Sequence, residues 1–163
     1  PRNDPHGDNS KRESFYLETF FGYDILLELG VAQGQSSKIF LKCVNKVIGV
    51  DVTVPTNLDE KEQFAKENNS QYHFIHSNDL LIEPIECDIL FIDTNHEEEH
   101  TYQELKKYSS SVKTFIALHD VNPYIFDTLK GFDRWYEEEG NQYWEEYHRD
   151  YDVCGLLVIK RKI

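Results

Sequence analysis

The sequence has no methionine, and its 163 residues include only three cysteines and five prolines. Cys43, Cys87 and Cys154 are odd in number and form no Cys-x-x-Cys pair, which argues against a zinc finger or a disulfide framework. We therefore expect buried free thiols in a reducing compartment, and a cytoplasmic location. Because the chain begins at Pro1 and contains no methionine, we also expect that the natural amino terminus is either missing or processed.

Two further absences limit the partners that the chain can have. It contains no apolar run of the roughly 20 residues that cross a bilayer, and no signal peptide is visible. Basic residues are scarce, because 17 Lys and Arg stand against 30 Asp and Glu, which gives a formal net charge of −13. Such a surface repels nucleic-acid phosphates and anionic lipids. The sequence therefore favours a small-molecule ligand over nucleic acid or membrane, and it leaves homo-oligomer formation open.

The length and the aromatic content indicate a folded single domain. A chain of 163 residues suits one hydrophobic core, and ten Tyr, ten Phe and two Trp argue against extensive disorder. Residues 1–13 are polar and contain Pro, Gly, Asn and Asp, which predicts a flexible lead-in. Residues 14–163 contain no internal repeat and no low-complexity segment, so we expect one domain there.

Short apolar runs alternate with helical patterns along this domain. Four of the first five runs are rich in Ile, Val, Leu and Phe, which is typical of strands buried on both faces of a parallel sheet. The third, Tyr72–His76, instead alternates and consists of residues that favour strands. The predicted strands are Ile25–Leu29, Lys46–Asp51, Tyr72–His76, Asp88–Ile92, Lys113–Leu118, Gln142–His148 and Gly155–Lys160. They predict an α/β fold with a Rossmann-like, doubly wound, mostly parallel seven-stranded sheet and a C-terminal antiparallel hairpin.

Polar residues predict where two of the intervening helices begin. Ser36 or Ser37 is placed to cap the helix that follows the first strand. Asn122 and Pro123 are typical of the N-cap and the first residue of a helix, so the helix after the fifth strand is expected to begin there. A short helix around Phe15 to Phe21 is expected to cover one edge of the sheet.

The turn after the first strand has the pattern Glu28-x-Gly30-x-x-x-Gly34. A dinucleotide-binding loop would have a glycine at the position of Ala32. A phosphate-binding P-loop would end in Gly-Lys-Ser or Gly-Lys-Thr, whereas here the last glycine is followed by Gln35. An acid before the first glycine disfavours a pyrophosphate, because like charges repel, and suits a cationic ligand. A tight turn without any ligand is the alternative interpretation of this pattern.

Polar residues also follow the other predicted parallel strands. In an open α/β sheet the carboxyl ends of parallel strands line the ligand crevice. Asp51 after the second strand can accept two ribose hydroxyls, and Asp79 after the third can accept a hydrogen bond from an amino group of adenine. The alternatives are that Asp51 caps a turn and that Asp79 lies in a solvated turn. Asp93 ends the fourth strand, and His119-Asp120 ends the fifth.

These motifs, in this order, resemble those of class I S-adenosylmethionine-dependent methyltransferases. Besides Glu28-x-Gly30-x-x-x-Gly34, the resemblance rests on Asp51, Asp79, Phe91-Ile92-Asp93-x-x-His96 and Leu118-His119-Asp120. It extends from about Tyr23 to the carboxyl terminus. Within the class, the chain is similar to the subfamily of cephalosporin-hydroxylase-like and macrolide-sugar O-methyltransferases, and to catechol-type O-methyltransferases.

The resemblance implies a role for each strand-end residue. S-adenosylmethionine is the implied cofactor, with Glu28 to Gly34 at its methionine part, Asp51 at its ribose and Asn78 or Asp79 at its adenine. The implied cofactor-binding set is Glu28, Gly30, Val31, Gly34, Asp51, Asn78, Asp79 and Asp93. A divalent cation such as Mg²⁺ would be bound by Asp93, His119 and Asp120, although His119 replaces a carboxylate of some relatives and suits a softer ion or none.

The implied reaction is methyl transfer to a hydroxyl oxygen of a small molecule. His96 is the expected general base, and Asp93 is expected to act beside it. The remaining histidines are interpreted as ordinary strand or surface residues: His73, His76, His100 and His148. Two alternatives to this function are a nicotinamide-dependent Rossmann enzyme and a nucleoside-binding protein of the same fold that has no catalytic activity.

Overall fold

The computed structural model describes residues 8–163, apart from the side chain of Ser10. Seven strands form one sheet in the order β3-β2-β1-β4-β5-β7-β6. Their bounds are β1 Ile25–Leu29, β2 Lys46–Asp51, β3 Gln71–His76, β4 Cys87–Ile92, β5 Val112–His119, β6 Trp144–Asp150 and β7 Leu156–Arg161. All neighbouring pairs are parallel except those that involve β7, which is antiparallel to both β5 and β6. The predicted fold class is therefore confirmed, including the antiparallel hairpin.

Helices cover both faces of this sheet. They are α1 Asp8–Lys11, α2 Glu13–Phe20, α3 Gln35–Leu41, α4 Leu58–Glu67, α5 Glu98–Tyr108, α6 Thr128–Trp135 and α7 Asn141–Tyr143, with a 3₁₀ turn at Ser109–Ser111 and a π turn at Tyr136–Gly140. Among the described residues, no helix has the length and the apolar character that crossing a bilayer requires.

The sheet separates two apolar clusters, one on each face. Leu27 and Leu29 of β1 belong to the cluster that also contains Leu105 of α5 and Trp135 of α6. Leu26 belongs to the other cluster, which contains residues of α2 and α3. This alternation follows from the pleat of a strand, whose successive side chains point to opposite faces. Alternate residues of β1 therefore contact the helices on opposite faces of the sheet.

The order of the strands reverses between β1 and β4. The chain runs outward from β1 through β2 to β3, then returns to form β4 on the other side of β1. Loops on opposite sides of such a point diverge and leave a crevice outside the carboxyl ends of the strands. The topology therefore places the ligand crevice above β1 and β4.

The segment predicted to be flexible, residues 1–13, is largely helical in its second half. Its first part, residues 1–7, lies outside the described residues. Residues 8–11 form α1, and Asp8 and Asn9 are buried. Arg12 attaches this segment to the hairpin, because its guanidinium donates to both carboxylate oxygens of Asp150, at 2.7 and 2.9 Å. Such long-range ion pairs are not visible in local composition.

The prediction that a helix begins at Asn122-Pro123 is wrong, because α6 begins at Thr128. The side chain of Asn122 instead accepts a hydrogen bond from the backbone N–H of Tyr124 and donates to the carbonyl oxygens of Tyr151 and Val153. Asn122 thus joins the loop after β5 to the turn between β6 and β7. The local pattern predicted a helix cap, but the side chain of Asn122 instead donates hydrogen bonds to residues about 30 positions further along the chain.

Candidate active site

A cavity of about 510 Å³ opens at the carboxyl ends of the parallel strands. Five of the eight residues predicted to bind the cofactor line it: Gly30, Asp51, Asn78, Asp79 and Asp93. The remaining predicted catalytic and metal-binding residues line it as well: His96, His119 and Asp120. A volume of this size is typical of small-molecule sites. The fold therefore brings most of the predicted site residues into one cavity.

Glu28, Val31 and Gly34 do not line the cavity. The carboxylate of Glu28 is fully buried beneath the loop, where it accepts hydrogen bonds from the hydroxyls of Ser36 and Ser37, the latter at 2.6 Å. The two serines therefore hold the acid and do not cap α3, whose N-cap is Gly34 without a side-chain bond. Burial raises the pKa of Glu28 to about 7, although the two serines oppose the rise.

Lys61 lies beneath the glycine turn and was not predicted from the sequence. It is fully buried, and its ammonium donates to the Oδ1 atom of Asn57 at 2.7 Å. A Cβ atom at Gly34 would fall 1.8 Å from the Cε atom of Lys61, so a side chain there would displace the end of the lysine, and the φ of +77° separately favours glycine. Burial lowers the pKa of Lys61, and the nearby charge of Glu28 opposes that shift. Two buried ionisable groups, Glu28 and Lys61, therefore lie beneath the turn.

Asp51 fixes the shape of the glycine turn from the end of β2. Its Oδ2 atom accepts hydrogen bonds from the backbone N–H groups of Val31 and Ala32, at 2.8 and 2.9 Å. Its Oδ1 atom accepts one from the N–H of Thr53 at 2.9 Å. A carboxylate oxygen can accept two hydrogen bonds, so Oδ1 has the capacity for another donor in the cavity. Asp51 thus shapes the loop and still faces the ligand space.

A cluster of carboxylates and imidazoles lies at the ends of β4 and β5. The Nδ1 atom of His119 lies 3.6 Å from Oδ1 of Asp93 and 3.2 Å from Oδ1 of Asp120. The other ring nitrogen, Nε2, lies 2.5 Å from Oδ2 of Asp8 in α1. His96 approaches the opposite side of the cluster, with Nε2 at 3.0 Å from Oδ2 of Asp120. Side chains from distant parts of the chain therefore meet at this point.

The donor atoms of this cluster fit a divalent cation. One atom each from Asp93, His119 and Asp120 lies within 4.8 Å of the others, and Nδ1 of His119 is buried without a hydrogen-bond partner. When Nε2 donates to Asp8 and Nδ1 has lost its proton, as metal binding requires, the lone pair of Nδ1 faces two carboxylates. A carboxylate on the far side of a ligating histidine is a common arrangement in metal sites. The three predicted ligands are therefore brought together in a form that can bind a metal.

Opposing effects set the pKa values in this cluster. Burial raises the pKa of Asp93, although the charge of His119 opposes the rise. Burial also favours the neutral form of Asp120, but the neighbouring imidazoles of His119 and His96 outweigh it and hold its pKa well below the ordinary value. The pKa of His119 is well above its ordinary value, because Asp93, Asp120 and Asp8 outweigh the effect of its burial. The neighbouring carboxyls therefore differ in their tendency to ionise.

Three residues around the cavity have backbone angles that non-glycine residues rarely adopt. Ala32, His96 and Asp120 have φ values of +50°, +64° and +58°. Each follows a different parallel strand, and each lines the cavity. Left-handed conformations of this kind cost of the order of 1–3 kcal/mol and cluster at functional sites. The unusual backbone conformations therefore lie around the same cavity as the predicted site residues.

A second cluster, which the sequence patterns did not predict, lies at the end of β3. His100 of α5 places Nε2 at 3.1 Å from Oδ1 of Asp79 and at 3.2 Å from Oε1 of Glu104. Hydrogen bonds to Asp79 and Glu104 raise the pKa of His100 to about 10, and burial raises that of Glu104 to about 8. His100 was interpreted as an ordinary surface residue, whereas its side chain is largely enclosed and lines the cavity. The i, i+4 spacing of His100 and Glu104 on a predicted helix was the available signal.

The other histidines have local contacts. His76 pairs with the carbonyl oxygen of Val52 at 2.8 Å, and His148 lies 2.6 Å from Oδ2 of Asp150. His73 is exposed on β3. These positions agree with their interpretation as strand or surface residues.

Asn78 shapes the turn after β3. Its Oδ1 atom accepts a hydrogen bond from the backbone N–H of Leu80 at 2.9 Å. The residue lines the cavity beside Asp79.

Several solved structures have the same fold. N-methyltransferase NodS from Bradyrhizobium japonicum WM9, in complex with S-adenosyl-L-homocysteine, has a TM-score of 0.72 at 11% identity, over 98% of this chain and 90% of its own. Magnesium protoporphyrin IX methyltransferase (ChlM) from Synechocystis PCC 6803, with bound S-adenosylmethionine, has a TM-score of 0.70 at 13% identity. The match covers 95% of this chain and 78% of that protein. The 1,6-didemethyltoxoflavin-N1-methyltransferase from Burkholderia thailandensis has a TM-score of 0.71 at 9% identity. The match covers 97% of this chain and 80% of that protein.

These similarities establish the fold. The chain has the seven-stranded, Rossmann-like α/β fold of S-adenosylmethionine-dependent methyltransferases. No family model matches the sequence, and no curated protein matches it either.

Proposed function

We propose that this chain binds S-adenosylmethionine in the cavity and transfers its methyl group to a hydroxyl oxygen of a small molecule. The observation that carries the proposal is the position and lining of the cavity. It opens where the strand order reverses, and Gly30, Asp51, Asn78 and Asp93 meet there in the order that the resemblance implies. The methyltransferases of the same fold that were crystallised with S-adenosylmethionine or S-adenosyl-L-homocysteine support this choice of cofactor.

Three features of the cavity suit an adenosine and a sulfonium. Gly30 lines the cavity, and because it has no side chain the turn can pass directly against the backbone of Asp93, which lines the cavity beside it. Asp51 has a free acceptor position for a ribose hydroxyl, and Asn78 lies at the end of the next strand, where the adenine is expected. The negative charge of Asp93 and Asp120 favours a positively charged sulfur on their side of the cavity.

His96 is proposed to remove the hydroxyl proton of the acceptor. With Nε2 held by Asp120 at 3.0 Å, the ring has a fixed orientation, and Nδ1 is the nitrogen that can accept a proton. As the O–H bond breaks, its electron pair forms the new O–C bond. A bound S-adenosylmethionine would supply the methyl group, and the electron pair of its C–S bond would return to the sulfur and leave a neutral thioether. The protein contributes orientation and electrostatics, and no covalent intermediate forms on it.

The proposal includes a divalent cation held by Asp93, His119 and Asp120. A cation in that position would lower the pKa of the acceptor hydroxyl and orient it. The buried, unpartnered Nδ1 of His119 is the observation that supports the site.

The cofactor is tested by calorimetry with S-adenosyl-L-homocysteine and, separately, with NAD. We expect S-adenosyl-L-homocysteine to bind and NAD not to bind. Asp51→Asn should weaken binding at least about tenfold, because a hydrogen bond from a ribose hydroxyl to a carboxylate is worth about 1.5–3 kcal/mol. Asp59→Asn, a change on α4 outside the cavity, is the matched control. Binding of NAD alone would overturn the proposal.

The reaction is tested with labelled S-adenosylmethionine and panels of hydroxyl and amine acceptors. We expect label to enter hydroxyl acceptors, and His96→Ala to lower turnover by about 10²–10⁴-fold while cofactor binding is retained. The exposed His73→Ala change on β3 should leave turnover unchanged. Methylation of amines alone would refute the choice of hydroxyl oxygen, and full turnover by His96→Ala would refute the general base.

A further inference from the structure

The second carboxylate and imidazole cluster joins the end of β3 to α5. It consists of Asp79, His100 and Glu104, and one ligand atom from each lies within 4.8 Å of the other two. It shares no residue with the cluster of Asp93, His119 and Asp120. His100 and Glu104 are one helical turn apart, so both side chains project from the same face of α5. The helix and the strand end thus present three donor groups to one point.

Two oxygens of this cluster are buried without a partner. They are Oδ2 of Asp79, in a residue that is 7% exposed, and Oε2 of Glu104, in a residue that is fully buried. A buried polar atom without a partner costs about 1–3 kcal/mol, and more when it is charged. Two ionised carboxylates beside each other would repel, so in the absence of a cation the carboxyls of Glu104 and Asp79 share a proton. A divalent cation would replace that proton and compensate both carboxylates.

The spacing of the donor atoms suits a small divalent cation. Nε2 of His100 lies 3.1 Å from the Asp79 oxygen and 3.2 Å from the Glu104 oxygen. Ligand atoms about 2.1 Å from a tetrahedral zinc ion are separated by roughly 3.4 Å, so a small shift would accommodate the ion. One imidazole and two carboxylates suit Zn²⁺ better than Mg²⁺, which prefers oxygen ligands and retained water.

The surroundings hold the donor groups in place. The hydroxyl of Thr94 donates to Oε1 of Glu104 at 2.7 Å, a contact of the kind that orients ligating carboxylates. The hydroxyl of Tyr108 donates to the backbone oxygen of Asp79, and Lys107 donates to that of Leu80 at 2.9 Å. Tyr108 and Lys107 come from the same helix, so the loop after β3 is attached to α5 at several points.

We propose that Asp79, His100 and Glu104 form a Zn²⁺ site with three protein ligands, whose fourth position faces the cavity. Asp79 and His100 both line the cavity, so a water or a ligand atom can complete the coordination. The site ties the loop after β3 to α5 and adds a positive charge to that side of the cavity. It goes beyond the proposed methyl transfer and does not depend on it.

The experiment measures zinc stoichiometry by mass spectrometry, and zinc affinity by calorimetry, on the full chain. We expect His100→Ala and Glu104→Gln each to lose one equivalent of Zn²⁺ and to weaken binding at this site at least about 100-fold. The exposed His73→Ala variant should retain the full stoichiometry. Asp120→Asn, which alters the other cluster, should also retain this equivalent, so the two clusters are distinguished.

Thermal unfolding provides a second readout that remains valid if one variant folds poorly. The other cluster is removed from the comparison by Asp120→Asn: we expect Zn²⁺ to raise the Tm of the wild type, of Asp120→Asn and of Asp120→Asn with His73→Ala, and to leave that of Asp120→Asn with Glu104→Gln unchanged. Glu104→Gln conserves shape, and its amide can donate to Asp79 in the absence of metal. The proposal is overturned if His100→Ala and Glu104→Gln bind as much Zn²⁺ as the control, or if the Tm of the wild type does not respond to Zn²⁺.

Discussion

Gly30 shows how a single residue shapes the turn above β1. Its φ is +84°, and a Cβ atom at this position would lie 2.0 Å from the backbone oxygen of Asp93. The glycine is required because the turn after β1 passes directly against the end of β4. Both the left-handed backbone and the close approach exclude a side chain at this position.

Gly30→Ala should therefore destabilise the fold much more than Gly22→Ala. Gly22 also has a left-handed backbone, with φ +90°, but no atom lies within 4 Å of the position that a Cβ atom would occupy there. We expect a cost of about 1–2 kcal/mol for the backbone at either site, and at least about 2 kcal/mol more at Gly30 from the clash. Urea unfolding measures both variants. Equal losses of unfolding free energy would contradict the role assigned to the Asp93 contact.

The buried carboxyl of Glu28 makes the stability of the fold depend on pH. Its pKa is raised from 4.5 to about 7 by burial, so between these values the folded chain holds more protons than the unfolded chain. The contribution of this group to stability is therefore highest below pH 4.5, falls as pH rises towards 7, and levels off above it. The decline that this group causes is about 3 kcal/mol.

Glu28→Gln should remove this part of the pH dependence, because an amide does not ionise. The free energy of unfolding of the variant, relative to that of the wild type, should therefore increase between about pH 5 and pH 8, by about 3 kcal/mol. The measurement is urea unfolding at several pH values. Glu18→Gln on the exposed face of α2 serves as the control, and parallel pH profiles for wild type and Glu28→Gln would refute the prediction.

At the scale of elements, Arg12 determines whether the first two helices stay on the sheet. Its side chain is 10% exposed, and it contacts Asp8 of α1, Asp150 of β6 and the carbonyl oxygen of Asp152. Asp8 in turn reaches His119, so the helices are connected to the candidate site. Removing one partner of a partly buried ion pair leaves the other charge without compensation.

Arg12→Ala should lower the free energy of unfolding by about 2 kcal/mol and should speed hydrogen exchange in α1 and α2. Lys42→Ala is the matched control, because Lys42 pairs with Glu13 at the surface, where the two side chains are 40% and 36% exposed. That change should cost less than about 1 kcal/mol. Equal effects of the two changes would mean that Arg12 is an ordinary surface residue.

At the scale of the whole molecule, β7 connects the hairpin to the parallel sheet. It pairs with β5 on one side and with β6 on the other, and Leu157, Val158 and Ile159 are fully buried. Burial of each such side chain contributes about 1.5–3 kcal/mol. Their sum is comparable to the whole stability of a typical domain, about 5–15 kcal/mol.

A chain that ends at Gly155 should therefore lose its cooperative unfolding transition, as measured by circular dichroism and urea titration. Removal of Ile163 alone is the control, since its side chain is fully exposed and its loss should leave the transition in place. A cooperative transition in the shorter chain would show that the five parallel strands β1 to β5 fold without β7.

Most of the fold could be predicted from the sequence, because a parallel strand buried on both faces requires a continuous apolar run. The runs at β1, β2 and β4 were therefore visible, and so were the polar residues that follow them, such as Asp51 and Asp93. The direction in which Glu28 points was not predicted. On a pleated strand it shares a face with Leu26, and α3 covers that face, so its carboxylate meets two serines instead of the cavity.

The sequence by itself determined the strands, the glycine turn and the acids and imidazoles at the strand ends. The tertiary structure decided which of these groups meet. Asp8 contacts His119 across 111 positions, and Asp79 contacts His100 across 21. Local patterns follow from the preferences of the backbone and from the burial of one face. Contacts between distant segments depend instead on how the strands are ordered and how the helices pack, and these are properties of the assembled chain.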